Sequence, residues 1–479
     1  MASETPVTPH VFIVSYTVQG QINPLLRLAK HLASTGGFLV TFCTSAIVGQ
    51  KIAEANGMVP GRVYPVGERG FLRFDFLDIG AARVTNRTQF PEFYSKLKLA
   101  GLNQLPKMIQ RVSDEGLPVT CLINGNVVPW VADVAEELGI PLATVWAQSC
   151  TSFLTFYYYY NRLVPFPTQD HPYTDVEIPT LPLLKWDELH GLLHPFYSNP
   201  LMREARLQDF DNLSKSFCII MDTFDELESD TINFSTRLCP IIRSIGPLFR
   251  DDPVAANTEI KTAADVSCSC LDWLDTQPLS SVVYVCLGSL VHLKQDQVDE
   301  LANGILNSGA PFLWVVRTPD PSSGLEPYIL PKNMVDDHSV GLVTGYSPQE
   351  KILDHPSVGC FITHCGWNST VEALTSGVPM VAFPQWGDQL TDAKFLVDVL
   401  GVALRMGRGE QSSKVVLREE VERCIREAMV GPKAEEMRRK VVEWKEKAVK
   451  AYQQGGSSNT NLYAFVEEIR RMSTITDSK

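Results

Sequence analysis

Residues 359–375 have the sequence Gly-Cys-Phe-Ile-Thr-His-Cys-Gly-Trp-Asn-Ser-Thr-Val-Glu-Ala-Leu-Thr, in which a polar turn separates two more apolar segments. The first five residues have the pattern of a buried strand. Gly366 allows the backbone to approach a ligand closely, and residues 368–370 are short polar residues of the kind that begin helices. A strand, a glycine-containing turn and a helix form the repeating unit of a parallel α/β sheet, so this stretch predicts a doubly wound domain.

The same alternation of strands and helices extends in both directions along the chain. In the second half, apolar patterns predict further strands at residues 282–288, 312–316, 342–345 and 379–383, with helices at residues 295–306 and 390–400. In the first half they predict strands at residues 10–16, 38–44, 119–123 and 142–146, with helices that begin at Asn23-Pro24 and at Pro129. The predicted fold class is therefore α/β, with two doubly wound parallel-sheet domains of the Rossmann type.

The two predicted sheets divide the chain near Gly246-Pro247. Residues 250–267 are rich in Asp, Ala and Thr without an apolar repeat, as expected of a surface linker. We expect an N-terminal domain at residues 1–247, a linker at 248–268, a C-terminal domain at 269–455 and a C-terminal helix at 456–479 that packs back on the first domain. Such domains bind ligands at the carboxyl ends of their strands, so the site should lie in a cleft between them.

Composition narrows the possible functions. The chain has 479 residues and a formal net charge of -13, and it lacks the concentrated basic patch that nucleic acid requires. Its first residues lack the charged and apolar regions of a secretion signal, and no window approaches the roughly 18 apolar residues of a membrane span. We therefore expect a monomeric cytoplasmic protein without membrane insertion. Eleven scattered cysteines form no ligand pairs, which disfavours a metal site.

Residues 346–389 carry side chains that match the parts of a nucleotide sugar. The helix start within this stretch presents unpaired N–H groups and a positive dipole end, which suit a diphosphate. Tyr346 offers an aromatic face to a base, and Glu372 offers a carboxylate to ribose hydroxyls. Asp388 and Gln389 offer hydrogen bonds to a sugar. Each residue alone has an ordinary structural explanation, such as a helix cap, but their joint spacing favours a donor site.

The stretch resembles the signature of the plant secondary-product glycosyltransferases, the family 1 UDP-sugar transferases, which runs from a Trp or Tyr to a final Gln or His. The resemblance covers essentially the whole chain and implies the GT-B fold, with an acceptor-binding first domain and a UDP-sugar-binding second domain. It also implies UDP-glucose as co-substrate, no metal or other cofactor, and a small phenolic acceptor. The residues implied by position are Tyr346, Ser347 and Gln349 for uracil, Glu372 for ribose, Ser289, His364, Trp367, Asn368 and Ser369 for the diphosphate, and Asp388 and Gln389 for glucose.

The chain departs from this family where a catalytic base is expected. Members usually carry a His in the loop after the first strand and an Asp after a later strand that orients it. Gln21 stands at the first position and Gly125 at the second. A Gln cannot accept a proton near neutral pH, so base assistance worth about 10²–10⁴ in rate is absent from this position. A smaller departure is Ala147, where many relatives have a Thr that reaches the sugar.

Two acceptor chemistries need little or no base. A phenolic acid is already ionised at neutral pH and could form a glucose ester. An electron-rich polyhydroxylated phenone or flavonoid could react through carbon to give a C-glucoside. The segments at residues 122–124 and 129–130 resemble the hydroxycinnamate ester-forming branch, which favours the ester. O-glucosylation of a phenolic hydroxyl and a non-catalytic UDP-sugar-binding protein remain as alternatives.

Three other features have structural interpretations. His10 begins a buried strand, well before the Gln21 loop, and is expected to be structural. The aromatic run at residues 153–160, with Trp186 and Phe196, could line an acceptor pocket or could belong to the core. Asp209-Phe210-Asp211 matches an Asp-x-Asp metal motif, but it lies in a charged helical stretch and is interpreted as a solvated helix face.

Overall fold

The computed structural model describes residues 8–80, 89–196, 200–248, 269–319, 323–407 and 415–476. All but the first residue of the expected linker, 248–268, lies outside these described residues. No helix within them is both long and apolar enough to cross a membrane.

The first half of the described chain forms an eight-stranded sheet. Its strands, in chain order, are β1 His10–Val14, β2 Leu39–Ser45, β3 Val63–Val66, β4 Gly70–Leu77, β5 Cys121–Gly125, β6 Leu142–Trp146, β7 Ser216–Met221 and β8 Ile242–Ser244. The spatial order is β3-β4-β2-β1-β5-β6-β7-β8. Every neighbouring pair is parallel except β3 and β4, which form an antiparallel hairpin at the edge.

The second half forms a six-stranded sheet in which all neighbouring strands are parallel. Its strands are β9 Val282–Cys286, β10 Phe312–Val315, β11 Gly341–Thr344, β12 Val358–Thr363, β13 Met380–Ala382 and β14 Ala403–Arg405. The order is β11-β10-β9-β12-β13-β14, which places the first strand of the half at the centre. Two doubly wound α/β domains were predicted from the sequence, and this fold class is confirmed.

Helices cover both faces of the sheets. In chain order they are α1 Gln19–Ser34, α2 Ala46–Ala55, α3 Phe90–Asp114, α4 Val131–Leu138, α5 Cys150–Tyr160, α6 Pro200–Asp211, α7 Ser229–Leu238, α8 Ser269–Asp275, α9 Gln295–Ser308, α10 Lys332–Asp336, α11 Gln349–Leu353, α12 Trp367–Ser376, α13 Gln389–Lys394, α14 Arg418–Met429, α15 Ala434–Tyr452 and α16 Ser457–Thr476. A π-helical segment, Phe395–Leu400, continues α13. Each sheet is therefore buried on two sides, as its near-continuous apolar strands require.

The C-terminal helix α16 packs on the first domain. Leu462, Phe465 and Ile469 are buried in the same apolar cluster as strand β1. Asn461 donates from Nδ2 to the carbonyl oxygen of Ser244 at 2.8 Å, next to the end of β8. The chain thus crosses back after its second domain, and this return ties the two domains together.

Helix α1 begins at Gln19, four residues before the Asn23-Pro24 start expected from the sequence. Pro24 therefore lies inside the helix, where it has no N–H to donate to the Gly20 carbonyl. The side-chain amide of Asn368, from the other domain, donates to this carbonyl at 3.0 Å. Since the missing hydrogen bond is replaced across the cleft, the helix extends to Gln19, and Gln21 lies in its first turn rather than in a loop.

Candidate functional site

A cavity of about 360 Å³ lies between the two domains. The strands β1, β5 and β6 of the first sheet and β9, β10, β12 and β13 of the second end at this cleft, and the residues that follow them line it. All eleven donor-site residues expected from the sequence line the cavity, and so does Gln21. The fold therefore brings together side chains that lie up to 368 positions apart, from Gln21 to Gln389.

Gln349 organises the end of the cavity where uracil and ribose were expected. Its Nε2 donates to Ser369 Oγ at 2.8 Å and to Glu372 Oε2 at 2.5 Å. Ser347 is held by a 2.8 Å hydrogen bond with the hydroxyl of Tyr284, a buried residue of β9. These contacts fix the polar side chains beside the half-buried ring of Tyr346 before any ligand is present.

An arginine of the first domain, Arg27, lies close to the carboxylate of Glu372. Arg27, on α1, forms an ion pair with Glu350, and its guanidinium lies 3.9 Å from Glu372 Oε1. Burial raises the pKa of the Glu372 carboxyl, and the charge of Arg27 acts in the opposite direction. Arg27 therefore favours the ionised form of Glu372 that can accept hydrogen bonds from ribose. The sequence analysis missed this residue because only the fold brings α1 to the second domain.

The start of α12 has the geometry of an anion site. Gly366 is its N-cap, and no side chain caps the first turn. The main-chain N–H groups there are thus left for a ligand. The indole N–H of Trp367 donates to the Asp222 carbonyl oxygen at 2.7 Å, and the side-chain amide of Asn368 donates to the carbonyl oxygen of Gly20. In this arrangement the main-chain N–H of Trp367, rather than its indole N–H, is left for a ligand.

His364 is enclosed between two glycines. A Cβ atom added to Gly288 or Gly366 would lie 2.6 Å from His364 Nε2, so both positions exclude a side chain. Burial, with a contribution from Arg317, lowers the pKa of His364 to about 4, so the ring is neutral at pH 7. Its Nδ1 atom has no hydrogen-bond partner among the described residues. The ring can therefore donate a hydrogen bond to a phosphate but carries no charge before the ligand binds.

Beside the position expected for the diphosphate, the positive charge belongs instead to Arg317. This residue follows β10 and lines the cavity, and its buried Nε atom has no partner within the described chain. An arginine directly after the carboxyl end of a parallel strand is a signal that the sequence analysis did not use. Arg317 is a better counter-charge for a leaving diphosphate than neutral His364.

The residues expected to hold the sugar lie at the start of α13, with Asp388 as its N-cap and Gln389 as its first residue. Gln389 Oε1 accepts hydrogen bonds from the main-chain N–H groups of Gln385 and Trp386 at 3.0 and 3.1 Å. Its amide nitrogen is thereby directed away from these groups and can donate to a sugar hydroxyl. Asp388 is half-buried and accepts a hydrogen bond from Gln148 Nε2 at 2.8 Å.

Gln21 and Gly125 face each other in the first domain. A Cβ atom on Gly125 would lie 3.2 Å from Gln21 Oε1, so these positions are adjacent as the family pattern requires. Gln21 is 7% exposed, and its Oε1 has no partner in the described part of the structure. The hydroxyl of Tyr16 and the Oδ1 atom of Asn126 line the same cavity and likewise lack partners there. Buried polar atoms of this kind are normally satisfied, so this end is built for a polar ligand.

The remaining sequence interpretations have mixed outcomes. His10 is structural, because its ring contacts Leu117 O and Thr41 Oγ1, each at 2.8 Å. The aromatic run at 153–160 is core rather than pocket, and the acceptor end is lined instead by Tyr16, Phe90 and Trp386. The interpretation of Asp209 as solvated is wrong, because it is buried beside Arg206 at 3.2 Å.

Comparison with known proteins supports this geometry. A family model described as "UDP-glucoronosyl and UDP-glucosyl transferase" matches residues 246–439. The chain is 50% identical to a cinnamate beta-D-glucosyltransferase of Fragaria ananassa, over 100% of the chain and 85% of that relative. It is 48% identical to a gallate 1-beta-glucosyltransferase of Quercus robur, over 100% of the chain and 93% of that relative.

Solved structures share the architecture. The crystal structure of Os79 from O. sativa in complex with UDP matches 96% of this chain and 100% of its own, with a TM-score of 0.79 and 27% identity. A UDP-glucosyltransferase from Polygonum tinctorium matches 98% of this chain and 100% of its own, with a TM-score of 0.78 and 27% identity. The chain therefore belongs to the UDP-glycosyltransferase family, as a plant family 1 enzyme of the hydroxycinnamate ester-forming branch with the GT-B fold.

Proposed function

We propose that this enzyme transfers glucose from UDP-glucose, with inversion, to the carboxylate of a small phenolic acid and releases a glucose ester and UDP. The reaction is a single displacement in which a carboxylate oxygen attacks the anomeric carbon as the bond to the diphosphate breaks. No proton has to be removed from the acceptor, because a carboxylic acid with a pKa of about 4 is ionised at pH 7.

The observation that carries the proposal is that Gln21, which cannot accept a proton near neutral pH, occupies the position where the family pattern has a catalytic base. Its amide oxygen lies 3.2 Å from the Cβ position of Gly125, which has no carboxylate to orient or charge it. Gln21 can donate a hydrogen bond through Nε2 to one oxygen of an acceptor carboxylate and leave the other oxygen to attack. Gln21 thus orients the acceptor and transfers no proton.

His190 does not replace the missing base. Its Nδ1 atom accepts a hydrogen bond from the main-chain N–H of Leu192 at 3.2 Å, so the proton of the neutral ring is on Nε2. Burial also lowers the pKa of His190 well below its usual range. This ring can donate a hydrogen bond into the cavity but has no free lone pair to take a proton.

The donor half follows from the residues around α12. Main-chain N–H groups at the start of α12, neutral His364 and cationic Arg317 line the same part of the cavity and would surround the diphosphate. Together they stabilise the negative charge that develops on UDP as it leaves. Asp388 and the amide of Gln389 would bind glucose hydroxyls, and Glu372 would bind the ribose. Relatives named as cinnamate and gallate glucosyltransferases support glucose and an aromatic acid over C-glucosylation.

Product chemistry tests the proposal. The enzyme is incubated with UDP-glucose and a panel of hydroxybenzoic and hydroxycinnamic acids, simple phenols and polyhydroxyphenones, and the products are identified by mass spectrometry before and after treatment with mild alkali and, separately, with acid. We expect glucosides of the acids that are cleaved by alkali. Products that survive alkali but not acid would indicate O-glucosides, and products that survive both would indicate C-glucosides; either as the main product would refute the ester.

A further inference from the structure

A buried arginine at the acceptor end of the cavity has no role in the proposed function. Arg206 lies on α6, lines the cavity and is 8% exposed. Its guanidinium lies over the ring of Trp146 at 4.8 Å, and its charge is paired with Asp209 at 3.2 Å. Burying such a pair seldom stabilises a fold more than apolar packing would. The position therefore calls for a role beyond stability.

The guanidinium of Arg206 is directed at Gln148. Its Nη2 donates to Gln148 Oε1 at 2.9 Å, and Asn126 Nδ2 donates to the same oxygen at 3.3 Å. Two donors that converge on Oε1 define which way the amide faces, because a flipped amide would place its N–H₂ group against the guanidinium. Arg206 thus determines the orientation of Gln148.

That orientation sends the amide nitrogen of Gln148 across the cleft. Gln148 Nε2 donates to Asp388 Oδ2 at 2.8 Å, from the first domain to the second. Asp209, Arg206, Gln148 and Asp388 therefore form one continuous chain of hydrogen bonds and charges that ends on the carboxylate proposed to bind the sugar.

Asp388 needs this donor because its surroundings disfavour a negative charge. Burial raises the pKa of the Asp388 carboxyl, while the Gln148 N–H and the charge of Arg206 act to lower it. Within the described chain, the titratable groups that interact with Asp388 include Arg206 and Asp392. Asp392 lies one turn further along α13 and is fully buried, which raises the pKa of its carboxyl well above the usual range. Without the Gln148 donor, Asp388 would be more readily protonated and a weaker acceptor for sugar hydroxyls.

We propose that Arg206 is a positioning residue for the donor sugar, which holds the Gln148 amide so that it orients the Asp388 carboxylate. The inference rests on the proposed function only in assigning Asp388 to the sugar. It makes the acceptor-binding domain a contributor to sugar recognition, through a residue that acts by way of Gln148.

Calorimetric titration with two ligands tests this role. UDP-glucose contains the sugar and UDP does not, so the ratio of the two affinities isolates the sugar contacts. In Arg206→Met and in Gln148→Leu we expect the affinity for UDP-glucose to fall about tenfold, while the affinity for UDP stays within about twofold of wild type. Arg203→Met is the matched control: Arg203 lies on the same helix, and its guanidinium donates to the carbonyl oxygens of Leu192 and His194. It should leave the ratio unchanged.

Further variants keep the test decisive. Arg206→Met leaves the buried carboxylate of Asp209 without its cation, so the double variant Arg206→Met with Asp209→Asn is used if the single variant unfolds. Gln148→Leu leaves the ion pair between Arg206 and Asp209 intact. As the pH is lowered, protonation of Asp388 should weaken UDP-glucose binding, and in Gln148→Leu this loss of affinity should begin at a higher pH than in wild type. A merely structural defect would not shift the pH at which the affinity falls.

The outcomes separate the inference from the function on which it rests. If Asp388→Ala changes the ratio but the Arg206 and Gln148 variants do not, Arg206 has no positioning role and the proposed function stands. If Asp388→Ala itself leaves the ratio unchanged, the assignment of Asp388 to the sugar is wrong and the inference falls with it.

Discussion

Restoring a base is the perturbation that probes the acceptor chemistry most sharply. The variant is Gln21→His combined with Gly125→Asp. A Cβ atom at position 125 would lie 3.2 Å from Gln21 Oε1 and 3.4 Å from Leu25 Cδ1, so a carboxylate there can reach a ring at position 21 with only a small shift of Leu25. Gly125 does not have a positive φ, so its backbone accepts Asp without strain.

The magnitude follows from acceptor ionisation. At pH 7 a phenol with a pKa of about 10 is ionised in roughly one molecule in 10³, whereas a carboxylic acid with a pKa of about 4 is almost fully ionised. General-base assistance is worth about 10²–10⁴ in rate and helps only the acceptor that must lose a proton. The double variant should therefore raise kcat/KM for a phenol by about 10² and leave kcat/KM for an acid within about threefold.

The assay compares 4-methoxyphenol with 4-methoxybenzoic acid, each of which has a single reactive group, and follows UDP release. Gln21→Leu is the control, because it removes the amide without supplying a base and should not raise the phenol rate. The reasoning is refuted if the double variant leaves the phenol-to-acid ratio at its wild-type value. It is also refuted if the wild type already glucosylates the phenol as fast as the acid.

Four further predictions follow from named contacts. Gly288→Ala places a Cβ atom 2.6 Å from His364 Nε2 at a φ of +79°, so calorimetry should show UDP affinity reduced by about tenfold or more; unchanged affinity would contradict the enclosed ring. A bound diphosphate should raise the pKa of His364 from about 4, so UDP-glucose affinity should increase from pH 7 to pH 5 in wild type and not in His364→Asn. Arg27→Met leaves Glu372 buried without its cation, and UDP-glucose affinity should fall about tenfold, with partial recovery in Arg27→Lys. Burial lowers the pKa of His10 to about 4, so the unfolded chain binds more protons below pH 6.5, and stability should decline between pH 6.5 and 4 by up to about 3 kcal/mol more in wild type than in His10→Gln, as denaturant unfolding would show.

The sequence was most informative where strands end. In parallel sheets the side chains that follow each strand share one edge, so polar residues after β12 and β13 could be placed in the cleft from the linear order alone. Strand β6 has the predicted bounds, Leu142–Trp146, because its apolar run ends abruptly. The same reasoning applied to β10 would have found Arg317, which lies two residues after the last residue of that buried strand.

The misinterpreted features depend on contacts between distant segments. The early start of α1 requires Asn368 to replace the hydrogen bond that Pro24 cannot make, and no local pattern reports that contact. Asp209 looks like a solvated helix residue because it is buried only where α6 packs against other segments of the first domain, among them α3 and α5. Its partner Arg206 lies one turn away on the same helix, but the spacing alone does not distinguish a buried ion pair from a surface one.

The pH dependence of kcat/KM with a single phenolic acid tests the absence of a side-chain base most directly. If the acceptor arrives ionised and Gln21 takes no proton, kcat/KM for the acid at saturating UDP-glucose should be flat from pH 6 to pH 8 and fall only as the acid itself is protonated, near its pKa of about 4. A rise in kcat/KM centred between pH 6 and 7, as a histidine base would give, would contradict the account.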